Sequence, residues 1–203
     1  MKAFERLTDL ITRDPVDLLA YLLPGAAALL LAQEKTEWFA GLVPSGWTSQ
    51  PFWMIGFVVA SWVIGILFAY ASHILNTPYN YLVERRRKAL GDPKLDRVTV
   101  IAGAKLGAGD SGYHFAKTAL STSKHPELLG NAEKLEAISK FFRTVCFAAL
   151  LFAAWAAVSG MGWGVVIVTL VVVAGLSWRI FYDQRWAATQ TIYQGFIALH
   201  DQD

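Results

Sequence analysis

The chain has 203 residues, 55% hydrophobic, 13% aromatic and 17% charged, with eight tryptophans. A soluble domain carries roughly a quarter of its residues as charges, so this composition excludes a single water-soluble core and points to a membrane protein; the mean hydropathy of +0.38 agrees. The net charge is only +2, and the single cysteine, Cys146, excludes an intrachain disulfide.

The elements follow in chain order. Residues 1–14 place Phe4, Leu7, Leu10 and Ile11 on one helical face with charged side chains around the rest, which predicts an amphipathic helix. Asp14-Pro15 supplies an N-cap and a first-turn proline for a new helix. Val16–Ala32 is the first expected span and, lacking a net positive start and a small-residue cleavage site, is expected to be a retained anchor. Pro24 and Gly25 fall inside it and predict a packing kink or a hinge.

Gln33–Pro51 is expected outside, with Trp38, Phe39, Trp47, Phe52 and Trp53 as an interfacial aromatic belt. Phe52–Leu75 has no formal charge. As a helix it would be about 36 Å long, enough to cross a bilayer. Gly56 with Ala60, Ser61 with Gly65, and Gly65 with Ala69 are small residues four apart, the spacing that lets another helix approach closely. These residues predict a helix-packing face, whether inside the chain or between copies. Arg85, Arg86, Arg87 and Lys88 follow as the densest positive cluster, expected to stay cytoplasmic and to anchor on anionic lipid rather than on nucleic acid.

Segment 76–143 carries the charge excess of the chain, twelve Lys/Arg against seven Asp/Glu. Tyr79–Leu90 is expected to extend the second span, Gly91-Asp92-Pro93 to break it, and Tyr113–Ser121 and Asn131–Arg143 to be helical. Within the last of these, Glu136 and Lys140 form an i,i+4 pair. Val98–Ala102 reads as β-like, and Gly103–Gly112 reads as a flexible loop. Its Gly107–Gly112 stretch matches G-x-G-x-x-G, but there is no room for a dinucleotide-binding fold around it. Loop amides beside Lys105 could still meet a phosphate-bearing signal molecule.

Thr144–Val158 and Trp163–Trp178 are the third and fourth spans, joined by a turn at Ser159–Gly162. Residues from Arg179 onwards read as a partly apolar helix outside the membrane. The expected fold is therefore an all-α membrane protein. Its parts are an N-terminal helix (1–14), two transmembrane hairpins (16–75 and 144–178), a basic helical insertion (76–143) and a C-terminal helix (179–203). Four crossings and the basic insertion together place both termini in the cytoplasm.

Chemistry is sparse. His73, His114, His125 and His200 show no metal-ligand spacing, paired cysteines and nucleophile motifs are missing, and no cofactor is expected. Apart from Asp17 at the very start of the first, the spans hold no Asp, Glu, Lys or Arg, which argues against ion-coupled transport. The leading expectation is a non-enzymatic homo-oligomeric sensor or effector. It would couple the bilayer to a cytosolic protein partner, with Lys105, Lys117 and Lys124 as the contact residues. A multi-subunit pore is the second expectation. The third is a lipid-active enzyme using His73 or His114 with Asp110 or Ser111.

Leu135–Arg143, Arg185–Gln190 and Tyr21-Leu22-Leu23-Pro24-Gly25 give the chain a further feature. In these stretches and in its layout it resembles a loose group of small bacterial multi-pass membrane proteins. Some proteins of this build sit in antiphage defence operons beside a soluble nuclease or sensor. The resemblance implies an inner-membrane location and a role in defence, and it implies no catalytic residues.

Overall fold

The structure, a computed structural model, describes residues 21–30, 51–102, 110–123, 129–160 and 162–201. All elements among them are helical: α1 (Tyr21–Leu30), α2 (Pro51–Ala71), a 3-10 turn (Ser72–Leu75), α3 (Asn76–Leu90), α4 (Pro93–Ala102), α5 (Asp110–Thr122), α6 (Gly130–Val158), α7 (Trp163–Val168), a π-helical stretch (Thr169–Ala174) and α8 (Gly175–His200). Three continuous stretches, Ile55–Leu90, Gly130–Val158 and Trp163–His200, are long and apolar enough to cross a membrane. They contain the third and fourth expected spans and the second from Ile55 onwards. Of the first, Tyr21–Leu30 is described and is an apolar helix. The helix expected over 1–14 and residues 33–50 of the expected outer loop lie outside the described residues.

The chain forms two compact units. One comprises residues up to His73 together with Lys140–Trp178, and the other comprises Ile74–Ser139 together with Arg179–Asp203. The first is called the apolar unit and the second the polar unit.

The apolar unit is built on small residues. Cys146, Ala149, Ala153 and Ala156 of α6 are buried, and their 3-4-3 spacing puts them on one helical face. Val166 of α7 packs on Ala153 and Ala156, with Trp155 at the side. Gly160, at φ +71°, turns the chain after α6, a conformation that favours glycine. Ile55, Val59, Val63 and Leu67, each four residues after the last, line an exposed apolar face of α2. Such a face suits lipid rather than water.

The polar unit has an ordinary hydrophobic core. Leu95 and Val98 of α4, Tyr113, Ala116 and Leu120 of α5, Ala132 of α6, and Ile192, Tyr193 and Phe196 of α8 are buried together with Leu129. Each group recurs at helical spacing, so each helix turns one apolar stripe inward.

Two expectations are corrected here. Val98–Ala102, read as β-like, is the second half of α4. The β-branched run Val98-Thr99-Val100-Ile101 favours a strand locally, but the start signal at its front decides otherwise. Asp92 caps the helix by accepting a bond from the Leu95 amide (3.3 Å), and Pro93 occupies the first helical position. Burial of Leu95 and Val98 then holds the helix in place. The loop expected over Gly103–Gly112 also ends early, because α5 begins at Asp110. A helix rather than a strand therefore precedes the glycine-rich stretch, which removes the context a dinucleotide fingerprint requires. Residues 103–109 lie outside the described residues.

Candidate functional site

The polar unit concentrates its charges around two acidic side chains. Asp92 is the first. Its Oδ2 accepts a bond from Arg87 Nε at 3.0 Å and another from Gln190 Nε2 at 3.2 Å. Arg87 also donates from Nη2 to the Tyr193 hydroxyl (3.3 Å), and its guanidinium lies 5.6 Å from the centre of the Trp186 ring. The side chains of Arg87 and Asp92 are only 7% and 4% exposed. The helix geometry explains this burial. Four consecutive basic residues on a helix point about 100° apart, so one of them must face inward. Tyr79, Val83 and Arg87, four residues apart, form the buried face of α3.

The expectation that Arg87 anchors lipid is therefore corrected: its guanidinium is taken up inside the unit. Arg85, Arg86 and Lys88 remain exposed. Arg86 stacks on the other partner of Arg87, the Trp186 ring, at 4.7 Å. Lys88 pairs with Glu84 at 2.7 Å along the helix surface. That pairing holds the Glu84 carboxyl below its ordinary range and raises the Lys88 ammonium. Tyr81, Glu84, Arg85 and Lys88 together line a shallow outward groove.

Glu136 of α6 is the second centre. Its Oε2 accepts bonds from the Tyr113 hydroxyl (2.9 Å) and from Lys117 Nζ, and its Oε1 lies 3.3 Å from Arg185 Nη1. The Arg185 guanidinium stacks 4.8 Å from the centre of the Tyr113 ring. Burial, followed by the neighbouring Glu136 charge, pushes the Tyr113 phenol well above its ordinary range. This network gathers α5, α6 and α8 around one carboxylate that faces two cations.

Of the expected partner contacts, Lys117 is thus committed to Glu136 and is 29% exposed. Lys105 and Lys124 lie outside the described residues. His73 and His114 are exposed, each beside a tyrosine ring, Tyr70 and Tyr113. The side chains of Asp110 and Ser111 lie outside the description. Among the described residues no group of three or more His, Cys, Asp or Glu side chains could hold a metal ion.

In the apolar unit, the expected packing residues meet α1 of the same chain. Gly25 sits against the Ser61 carbonyl and the Gly65 amide, and Gly65 sits against the Tyr21 backbone, so a Cβ at either glycine would overlap main-chain atoms. Ser61 is buried, and its hydroxyl has no hydrogen-bond partner among the described residues, so its smallness rather than its polarity serves the contact. Pro24 is buried inside α1, which continues from Tyr21 to Leu30. Ala60 and Ala69 are half-buried, and Gly56 faces open space. Arg143, expected near the membrane surface, is buried and donates from Nε to the Ser72 hydroxyl at 3.1 Å.

Asp92, Gln190, Trp186 and Tyr193 were not legible as a site beforehand. A signal existed for Asp92: Asp-Pro after a glycine is the same helix-start pair as Asp14-Pro15. The arrangement binds charge internally and positions helices, and it leaves no carboxylate pair aimed at a substrate among the contacts described. No protein-family model, curated protein or solved structure matches this chain.

Proposed function

We propose that this chain is a non-enzymatic, homo-oligomeric component of a bacterial inner membrane that couples the bilayer to a cytosolic protein partner. In this reading it crosses the bilayer four times, as two hairpins, with both termini and segment 76–143 in the cytoplasm. The observation that carries the proposal is continuity. Each of the three long apolar stretches crosses a boundary between the units without a break in helical structure, at 73/74 within the 3-10 turn, at 139/140 within α6 and at 178/179 within α8. The link between the residues suited to lipid and those suited to water is thus helical backbone in all three stretches.

The charge arrangement supports binding rather than chemistry. Asp92 and Glu136 are each engaged by cations, whereas acid–base catalysis needs a group free to reach a substrate. The basic surface that remains, with Arg85, Arg86 and Lys88 exposed, suits an acidic partner or an anionic lipid surface. In this reading, which rests on the resemblance, the coupling serves antiphage defence, with a soluble nuclease or sensor as the partner.

The test is capture of the partner from native cells by full-length tagged protein. Lys105 and Lys124 are reversed together to Glu, and Lys117 is left alone because Glu136 depends on it. The double variant is expected to insert and assemble normally yet lose the partner. Raising salt should weaken the native contact, since exposed charges are screened over about 8–10 Å at physiological ionic strength. Undiminished capture by the double variant would remove these lysines from the reading.

A further inference from the structure

We propose that the apolar unit holds a single acyl chain of a membrane lipid in a cavity between its helices. The cavity measures about 500 Å³, and its walls include Ala28, Phe68, Ala149, Phe152, Thr169 and Val173. Those side chains come from α1, α2, α6 and the π-helical stretch.

The chemistry of the walls selects the occupant. The space is a cleft open on one side, and its walls, nearly all hydrocarbon, offer a polar occupant almost no hydrogen bond. The occupant is therefore apolar, and the medium around a membrane-spanning unit is alkyl chain. Its size fits as well. A methylene takes roughly the 30 Å³ share of a water molecule, so the space accepts a chain of about sixteen carbons. A helix from a second copy is 10–12 Å across and needs about 850 Å³ or more over two turns.

The π-helical stretch is the second observation. Six residues of π-helix inside an apolar helix are rare, and such distortions recur at functional sites. Here the stretch supplies both Thr169 and Val173 to the cavity, and Thr169 brings a hydroxyl to walls that are otherwise nearly all hydrocarbon. A buried hydroxyl at that point can orient a chain through a polar group near its end. Ala148 and Ala149, where larger residues would fill the space, keep it open. The inference rests on the membrane reading of this unit and not on any cytosolic partner, so loss of partner capture leaves it standing.

The experiment uses the full-length protein in phosphatidylcholine nanodiscs doped with a lipid whose palmitoyl chain carries a photoreactive diazirine. After illumination, peptide mass spectrometry should place label on Phe68, on the Ala149–Phe152 turn and on Thr169–Val173. Unlabelled sixteen-carbon lipid should compete at least severalfold better than ten-carbon lipid. Ala149→Trp fills the cavity and should cut that labelling about tenfold. Val173→Phe serves the same purpose if the first variant does not fold, with far-UV circular dichroism and particle size as the check. Label spread evenly over the outward residues Val59, Val63 and Val171, and unchanged in a folded filling variant, would overturn the proposal. Cross-links between two protein copies at Phe152 would overturn it too, because a second subunit would then occupy the space.

Discussion

The two units are held together by opposite means. In the apolar unit, helices approach through Gly25, Ser61 and Gly65 and through the alanine face of α6, and shape carries the contact. In the polar unit, helices are joined by two carboxylates that gather cations and hydroxyls from α3, α5 and α8. The difference follows from the solvent each unit is suited to. Among lipid tails a helix gains little from hiding apolar surface, so close packing of small residues is the available attraction. In water an apolar stripe is enough to drive association, and polar networks fix which arrangement results.

The largest effect is expected from breaking the Asp92 centre. Asp92→Ala leaves the Arg87 guanidinium buried without its carboxylate and removes the cap of α4. Loss of one partner of a buried ion pair costs about 3–5 kcal/mol. Hydrogen exchange in α4 and α8 should then speed up by two or more orders of magnitude, while α2 amides keep their protection. The double variant Arg87→Met, Asp92→Asn keeps a capping side chain and removes both charges, so it should recover much of the loss. Equal destabilisation by the double variant would show that the pair is more than a charge that needs neutralising.

The matching break in the apolar unit takes only one methyl group. Gly25→Ala puts a Cβ into the Ser61 carbonyl, and backbone on both sides must move. Overpacking of this kind costs about 1–3 kcal/mol. Gly56→Ala meets open space and should be silent in thermal unfolding of the detergent-solubilised protein. Gly56→Leu then sharpens the comparison. It leaves the chain's own contacts alone, so a smaller or polydisperse particle would show that Gly56 touches a second copy. An unchanged particle would assign that end of α2 to lipid.

A smaller effect is expected at Glu136, because its partners are partly exposed. Lys117→Ala removes one cation of two and leaves Arg185 and Tyr113 in place. A loss of about 1 kcal/mol is expected, since the Lys117 side chain is still 29% exposed and solvent screens part of the pair. Salt should shrink the difference between this variant and the native protein. A loss as large as that of Asp92→Ala would mean that Lys117 organises the whole α5–α6–α8 junction.

The same contrast shows why part of this molecule was legible in its sequence and part was not. Phe52–Leu75, Thr144–Val158 and Trp163–Trp178 announce themselves because long uncharged runs have few other uses, and all three lie inside the helical stretches observed. The division of labour among Arg85, Arg86, Arg87 and Lys88 could not be read from composition. It depends on which residue falls in phase with Tyr79 and Val83, and on an acceptor, Asp92, beyond the helix end. Gly25 and Gly65 were visible as small residues, but their partners were not, since spacing says a helix can approach without saying which one. Val98–Ala102 misled because β-branched residues outweigh one capping aspartate in a local reading.

The smallest effect at neutral pH belongs to Tyr79, and it separates the units by alkali. Tyr79 is buried against the rings of Phe181 and Tyr182, at 5.4 and 5.5 Å. Burial pushes its phenol up to about 12 from an ordinary value near 10, and burial raises Tyr113 as well. Because the folded pKa lies above the unfolded one, the native state holds the proton more tightly. The stabilisation is complete below pH 10 and is lost as pH rises through 10 to 12. The polar unit should therefore unfold before the apolar one in an alkaline titration, with α4 and α8 amides exchanging first. Tyr79→Phe gives up a hydrogen bond with Thr189, so a loss of about 0.5–1 kcal/mol is expected at pH 7, and that midpoint should shift upwards. Tyr113→Phe, which also gives up a bond to Glu136, should trade a small loss at neutral pH for a further shift. If both variants unfolded at the native alkaline midpoint, the buried tyrosines would not be what limits the polar unit at high pH.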